Sequence, residues 1–376
     1  MFDVMRCEME WRRKPIHRIY IFTEHGLSPA LVGKFFDELQ KYGGKMVLDP
    51  FVGSGTVLVE AQVRNIASLG IDSNPWALVV SKAKTTFPIG VGRWIEEHFC
   101  EIEHFDPFIP SERLSRYHSP EELTALAKIR AAINKAPAYD KPILLTVLAN
   151  VANRFSKLKR SPAPRFRHND NTRNEITTKG IINAFFNKLL DAIEDLKRHV
   201  KQVPVHLIFG DSTCWLPEKI DAVLTSPPFA NNVDYIRHTQ LSLLWMGMSE
   251  ANLGSLRDLQ IPGCEAAARK WKKGLYEPWL NPYYNSIGGS RSRGFRRFLA
   301  QYLWAMNRHF ELLAERLEWE AWYTVGDSVL GGGYIPTHEL LAKLAERHGL
   351  KVMICPLGPR LKRGLKMFLL RLASPS

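Results

Sequence analysis

The sequence has few cysteines, and they lie far apart. Cys7, Cys100, Cys214, Cys264 and Cys355 are spread over 376 residues, and no two of them form a CxxC pair. This spacing argues against a zinc ribbon and against a disulfide scaffold. A reduced, cytoplasmic protein is the expectation.

Long apolar runs are also missing. No stretch approaches the roughly twenty apolar residues that a membrane-spanning helix needs. Residues 1–15 contain acidic side chains and no continuous apolar segment, which argues against a secretory signal. We therefore expect no membrane partner.

Acidic residues are outnumbered by basic ones. The chain has 51 Lys and Arg against 38 Asp and Glu, which gives a formal net charge of +13. Such a surplus favours a polyanionic partner, and nucleic acid is the leading candidate. A solvated basic surface is the alternative.

Strand and helix patterns alternate in two parts of the chain, which predicts an α/β fold with a doubly wound, Rossmann-like sheet. Residues 45–51 are typical of a buried parallel strand, and 351–373 of a closing antiparallel hairpin. Residues 16–22 predict a short strand or an extended lead-in. In the next predicted helix, Ser28 can act as the N-cap.

The domain prediction follows from this pattern. Residues 1–89 and 204–376 are predicted to form the sheet domain. Residues 90–203 are predicted to form a basic insertion, because their apolar residues recur at helical spacing and no strand is obvious. This insertion is the candidate nucleic-acid recognition region.

A glycine turn follows the first predicted strand of the sheet, in the segment DPFVGSGT at residues 49–56. Gly53 and Gly55 allow a ligand to approach the backbone, with a helix N-terminus behind them. No lysine follows, so a Walker-type site is excluded, and the third glycine of the dinucleotide fingerprint is missing. The pattern indicates a ligand without a pyrophosphate.

Carboxylates end the neighbouring predicted strands. Asp72 lies about twenty residues after the glycine turn, where α/β folds bind ribose hydroxyls. Trp76 or Pro75 is predicted to cover an adenine face, and Asp211 to accept its amino group. The alternative for each aspartate is a helix cap.

The segment TSPPF at residues 225–229 ends another apolar run. Proline cannot donate to a sheet ladder and fixes its own φ, so the strand stops there in a stiff turn. An ordinary proline-stopped strand is the alternative interpretation.

Together these two segments resemble the motifs of S-adenosylmethionine-dependent amino-methyltransferases. DPFVGSGT resembles the cofactor motif, and TSPPF resembles the catalytic motif in the Ser-Pro-Pro-aromatic form used on the N4 amine of cytosine. N6-adenine relatives usually carry Asp or Asn in place of the serine, and the family usually has tyrosine where this chain has Phe229. The resemblance extends to archaeal ribosomal-RNA cytidine N4-methyltransferases and is confined to the α/β part.

The resemblance implies S-adenosylmethionine as the methyl donor, no metal, and a nucleic-acid cytosine as the acceptor. Residues 17–32 resemble the flanking segment that holds the methionine end of the cofactor, where Glu24 and His25 are weaker candidates. The predicted cofactor contacts are Thr23, Ser28, Asp49, Phe51, Gly53, Gly55, Thr56, Asp72, Ser73, Trp76, Asp211 and Ser212.

The predicted chemistry needs acceptors aimed at an amine whose lone pair is delocalised into the base. Ser226 Oγ and the Pro227 carbonyl would accept from its two N–H groups and turn the lone pair toward the methyl. Pro228 stiffens the turn, and Phe229 offers a face on which an extruded base can stack. The predicted substrate contacts are Asn231, Asp234, Tyr235, Arg237, Arg291, Arg293, Arg296 and Arg297, and a solvated basic loop is the alternative for the last four.

Structured RNA is the slightly preferred substrate, because the basic insertion has no recognisable DNA-reading motif and RNA loops are already splayed. A site-specific DNA N4-cytosine methyltransferase is the alternative. A non-catalytic nucleic-acid-binding module with a vestigial cofactor site, and a methyltransferase for small molecules or proteins, are further alternatives. The sequence leaves the recognition site, the number of methyl groups and the oligomeric state open.

Overall fold

The computed structural model describes residues 15–20, 27–159, 164–166, 177–359 and 364–374. Its strands are β1 Met46–Asp49, β2 Ala67–Asp72, β3 Leu158–Lys159, β4 Arg165–Phe166, β5 Val205–Phe209, β6 Ile220–Thr225, β7 Leu317–Gly326, β8 Ser328–Leu330, β9 Gly333–Ile335, β10 Lys351–Pro359 and β11 Lys366–Ala373. Its α-helices are α1 Pro29–Tyr42, α2 Thr56–Val63, α3 Pro75–Thr85, α4 Val91–His98, α5 Pro120–Asn134, α6 Lys141–Arg154, α7 Thr178–His199, α8 Tyr235–Met246, α9 Glu250–Leu259, α10 Glu265–Ala268, α11 Asn281–Ser286, α12 Ser292–Ala314 and α13 Thr337–Arg347. Short 3-10 helices cover Pro15–Ile19, Ile102–His104, Glu112–Arg116 and Pro278–Leu280.

A seven-stranded sheet organises the chain in the order β10-β11-β7-β6-β1-β2-β5. The neighbours from β5 to β7 are parallel, whereas β11 runs antiparallel to both β7 and β10. This confirms the predicted Rossmann-like methyltransferase sheet and its closing hairpin. Because β1 lies between β2 and β6, the strand order reverses at β1, and such a switch point opens a crevice at the carboxyl ends of the strands.

Alternating side chains of the central strands supply two separate cores. Val47, Ala222 and Leu224 pack with α1 and α2 on one face of the sheet. Leu48 and Val223 pack with α12 and α13 on the other. This alternation follows from the pleat of a strand, and it explains why the buried strands are apolar throughout.

Helices α4 to α7 occupy most of the predicted insertion, as expected from the helical spacing of its apolar residues. They share one hydrophobic cluster with α3 and α8, which flank the sheet strands. The short antiparallel pair of β3 and β4 was not predicted. The division into residues 1–89, 90–203 and 204–376 stays a prediction, as does the role of the insertion in recognition.

The strand predicted over residues 16–22 is wrong in its described part, where Pro15–Ile19 forms a 3-10 helix. Tertiary contacts explain the difference. The Lys84 ammonium group donates to the carbonyls of Tyr20 at 2.7 Å and His17 at 3.4 Å, so these carbonyls have a helix side chain as partner. The Tyr20 ring packs edge-on against Trp76.

The predicted capping of α1 is confirmed. Ser28 Oγ accepts a hydrogen bond from the Leu31 amide, and Gly43 closes the helix in the left-handed region at φ 86°. None of the helices in the described ranges has the length and apolar content that crossing a bilayer requires.

Burial of Lys84 gives a stability prediction. Lys84 is 1% exposed, and burial lowers its pKa to about 7. The unfolded chain therefore binds more protons than the folded protein between pH 7 and the ordinary lysine pKa, so the free energy of unfolding rises with pH in that window. At about 1.4 kcal/mol per pKa unit, the rise is on the order of 2 kcal/mol or more.

We expect Lys84→Met to abolish this rise, measured by urea denaturation at pH 7 and pH 9.5. Lys82→Met is the matched control, because Lys82 is exposed on the same helix. Equal pH dependence in the two variants would mean that Lys84 stays charged in the folded protein.

Candidate functional site

The carboxyl edge of the sheet brings the two predicted motifs into contact. Thr225 Oγ1, at the end of β6, donates to Asp49 Oδ1, at the end of β1, at 2.6 Å. The Phe51 amide donates to the same oxygen at 3.1 Å. Asp49 is 3% exposed, and burial raises its pKa to about 7. One buried carboxylate therefore fixes the starts of both motif loops.

The glycine turn after β1 has the predicted backbone. Gly53 and Gly55 are left-handed, at φ 49° and 77°. A Cβ on Gly55 would lie 2.7 Å from Ser81 Oγ, so a side chain there would collide with α3. Ser81 Oγ in turn donates to the Gly53 carbonyl at 3.3 Å. Thr56 then opens α2, within 3.5 Å of Ser54 through their hydroxyls.

Asp72 lies directly beside this turn, as predicted. Its Oδ2 accepts from the Gly53 amide at 2.9 Å, and its Oδ1 from the Asn74 amide at 2.8 Å. Its burial raises its pKa to about 6. Each carboxylate oxygen keeps a further lone pair, and both Asp72 and Ser73 remain partly exposed. This edge therefore offers an accessible acceptor pair for hydroxyl groups.

The prediction for Trp76 is wrong in this arrangement. Trp76 is 0% exposed, because α3 directs its ring into the core against Tyr20. No ring face is left for an adenine. Pro75, the other residue predicted for that role, is partly exposed. Asn74, which was not predicted, caps α3 and donates to Thr239 Oγ1 of α8 at 3.1 Å.

At the end of β5, Asp211 caps its own turn, since its Oδ1 accepts from the Thr213 amide at 2.9 Å. Its predicted contact with an adenine amino group stays a prediction. The next residue, Ser212, is buried, and its carbonyl accepts from His309 Nδ1 at 3.0 Å.

His309 is buried and forms hydrogen bonds with two other elements on one side of the site. Since Nδ1 donates to a carbonyl, Nε2 accepts from the Tyr323 hydroxyl, at 2.6 Å. Burial lowers the pKa of His309 to about 4, so the imidazole is neutral near pH 7. Its ring contacts that of Phe51, with centroids 5.1 Å apart. In the sequence His309 looked like one more residue of a long helix, and no motif marked it.

The turn of Ser226, Pro227 and Pro228 is hydrogen-bonded to the neighbouring strand β7. Ser226 Oγ donates to the Thr324 carbonyl at 3.5 Å, and Thr324 Oγ1 donates to the Thr225 carbonyl at 3.4 Å. With its hydrogen directed at β7, the Ser226 hydroxyl keeps its lone pairs for a donor. Pro227 and Pro228 continue the turn.

Phe229 is 6% exposed, so stacking a base on it requires neighbouring side chains to move. Its amide donates to the Tyr235 hydroxyl at 3.2 Å, which makes Tyr235 a support of the turn. Asn231 Oδ1 is buried, and within the described ranges it has no hydrogen-bond partner. Among the described residues, Asn231 Oδ1 is thus an unused hydrogen-bond acceptor beside the turn.

Two further predicted substrate residues have structural partners. Asp234 caps α8 through the Arg237 amide at 2.9 Å and pairs with Arg257 at 3.3 Å, so its carboxylate is occupied. The Arg237 side chain is exposed and donates to the Pro164 carbonyl at 3.2 Å, which ties the start of α8 to the β3–β4 pair.

The remaining predicted residues lie elsewhere. Ser28 is the cap of α1 described above and is largely buried. Thr23, Glu24 and His25 fall outside the described residues. Four arginines lie together at the start of α12, beyond the sheet edge, and they are Arg291, Arg293, Arg296 and Arg297.

Comparisons with known proteins agree with this geometry. No family model matches the chain. It is 25% identical to the Type II methyltransferase M.BsoBI of Geobacillus stearothermophilus over 314 residues, which is 73% of this chain and 60% of that protein. It is 25% identical to M.MvaI of Kocuria varians over 282 residues, 66% of this chain and 62% of that protein. It is 37% identical to M.MjaII of Methanocaldococcus jannaschii over 67 residues, 16% of this chain and 12% of that protein.

The matched part of the chain thus spans about three fifths of the length of the first two relatives. The chain is thus similar to Type II methyltransferases, and its motifs resemble those of the DNA N4/N6 methylase-like group.

Proposed function

We propose that the protein transfers a methyl group from S-adenosylmethionine to the exocyclic N4 amine of cytosine in DNA. The hydrogen bond from Thr225 to Asp49 carries the proposal, because it sets the glycine turn and the Ser-Pro-Pro turn side by side at one sheet edge. The serine of the turn favours cytosine over adenine. The relatives support DNA as the substrate and give no support to the expectation of structured RNA.

The residues at the edge fit the methyl donor. Gly53 leaves the backbone of the turn open, since among the described residues a Cβ there would have only the Phe51 carbonyl within 4 Å. Asp72 presents a partly exposed carboxylate to the same space, which suits the two hydroxyls of a ribose. When bound, S-adenosylmethionine supplies a methyl group activated by its sulfonium charge.

Ser226 and Pro227 orient the amine in this proposal. The Ser226 lone pairs and the Pro227 carbonyl accept its two N–H groups, and the proline-fixed backbone holds these acceptors before the substrate arrives. Tyr235 supports the same turn through the Phe229 amide. The residues thus contribute position and electrostatics, which together are sufficient to lower a methyl-transfer barrier.

The proposed activity is tested by the modified nucleoside. The protein is incubated with labelled S-adenosylmethionine and either duplex DNA or ribosomal RNA, followed by mass spectrometry of the released nucleosides. We expect N4-methylcytosine from DNA. N6-methyladenine would refute the choice of base, label in RNA alone would refute DNA, and no label in either would refute the activity.

Ser226→Ala is expected to lower kcat by about 100- to 1,000-fold, the usual cost of losing one preorganised hydrogen-bonding group. Ser226→Asn keeps an acceptor oxygen and should retain more activity than the alanine variant. Binding of S-adenosylhomocysteine, measured by calorimetry, should be unchanged in both variants. Full turnover in Ser226→Ala would reduce the turn to a structural element.

The raised pKa of Asp72 predicts the pH dependence of cofactor binding. The ionised carboxylate accepts hydroxyl groups best, and it is ionised above its pKa of about 6. The affinity for S-adenosylhomocysteine should therefore be close to its maximum at pH 7.5 and about tenfold lower at pH 5. Asp72→Asn should bind more weakly at pH 7.5 and lose this pH dependence. An unchanged profile in that variant would assign the dependence to another group.

A further inference from the structure

A cleft at the start of α12 is lined by groups that donate hydrogen bonds. Its volume is about 450 Å³, and its lining residues are Tyr276, Ser292, Arg293, Arg296 and Arg297. Tyr276 is 66% exposed, and Arg293 and Arg296 are exposed as well. Arginine guanidinium groups have no acceptor atoms, so a ligand of this cleft has to supply acceptors.

No acidic side chain of the described ranges pairs with the arginines that line the cleft. Arg291, on the preceding turn, lies 3.9 Å from Glu265 and over the ring of Phe295. In contrast, neither Arg293 nor Arg297 has a hydrogen bond or an acidic partner in the part of the chain that the structure describes.

The arginines also lie close enough to repel one another. Arg296 and Arg297 follow Arg293 by three and four residues, so both lie on the same face of the helix as Arg293. Like charges at these spacings destabilise a helix. Arg296 donates to the Ile287 carbonyl at 3.1 Å, which anchors it beside the others. An anion in the cleft would relieve this repulsion.

The length of α12 places the cleft outside the sheet. His309 lies at the carboxyl edge, since it contacts Ser212 and Tyr323. Arg293 precedes His309 by sixteen residues (309 − 293), which corresponds to about 24 Å along the helix axis. The first turns of α12 therefore project past the edge, on the side where a substrate has to approach.

Glu265 joins this end of α12 to the loop that follows the turn of Ser226, Pro227 and Pro228. The Glu265 amide donates to Asn232 Oδ1 at 2.8 Å, three residues beyond Phe229. Gly294 packs on the Glu265 carboxylate so closely that a Cβ would lie 2.5 Å from its Cδ. The cleft is thus held in a fixed position relative to the loop that contains Asn232.

We infer that this cleft binds phosphate groups of the nucleic-acid backbone next to the extruded nucleotide, an inference that rests on the proposed function. Arginine binds phosphate oxygens in a bidentate manner. In the ranges that the structure describes, Arg293 and Arg297 use none of their donors for other groups. The exposed Tyr276 ring provides a surface for stacking an adjacent unpaired base.

The test measures duplex-DNA binding by fluorescence anisotropy between 50 and 200 mM salt. Each phosphate contact contributes about 0.9 to the slope of log K against log salt. Arg293→Ala/Arg297→Ala should therefore reduce the slope by about 1.8. Arg316→Ala is the matched control, because Arg316 lies just beyond the opposite end of α12 and pairs there with Glu315, and it should leave the slope nearly unchanged. Arg293→Lys/Arg297→Lys keeps both charges and should restore the slope, which guards against misfolding of the alanine variant.

Equal slopes for the double alanine variant and the Arg316 control would overturn the subsite, and so would a wild-type protein that binds neither DNA nor RNA. The same slope change on RNA alone would support the cleft while refuting DNA as its partner. Binding requires no methyl transfer, so a protein that shows the slope change but modifies no base would keep the subsite and refute the proposed activity.

Discussion

The hydrogen bond between the Thr225 hydroxyl and the Asp49 carboxylate is the constraint on which the site depends. It joins the last residues of β6 and β1, the two central strands at the switch point of the sheet. Both loops of the site begin at these residues, so a change in this contact would move both loops. The buried environment strengthens such a bond, and the same burial raises the Asp49 pKa to about 7.

The rest of the site is held by contacts from separate helices. On one side, α12 supplies His309, which joins the loop after β5 to Tyr323 of β7. On the other, Asn74 at the start of α3 donates to Thr239 of α8. Because each contact links distant parts of the chain, the loops are supported from several directions, which suits preorganised chemistry. The arginine cleft lies at the start of α12, the same helix that supplies His309.

Sequence reasoning succeeded where a pattern has one physical meaning. A short apolar run stopped by proline is typical of a strand end, and glycines before a helix mark a tight turn, so the glycine turn and Asp72 were placed correctly. It was wrong for the strand at residues 16–22, because Lys84 binds carbonyls of that segment. It was also wrong for Trp76, because nothing local shows which way a residue on the first turn of a helix faces.

The sequence by itself determined the alternation of strands and helices in the main sheet, the glycine and proline turns, and the positive charge, since periodicity and backbone restrictions are local properties. Only the tertiary structure decided which polar groups meet. It paired the Asp234 carboxylate with Arg257, although a carboxylate at the start of a helix is equally able to contact a substrate. It also brought Thr225 to Asp49 and His309 to Tyr323. Among the described residues, it gave an acidic partner to Arg291 and none to Arg293 or Arg297. Those distinctions depend on residues that are distant in sequence, so no local pattern contains them.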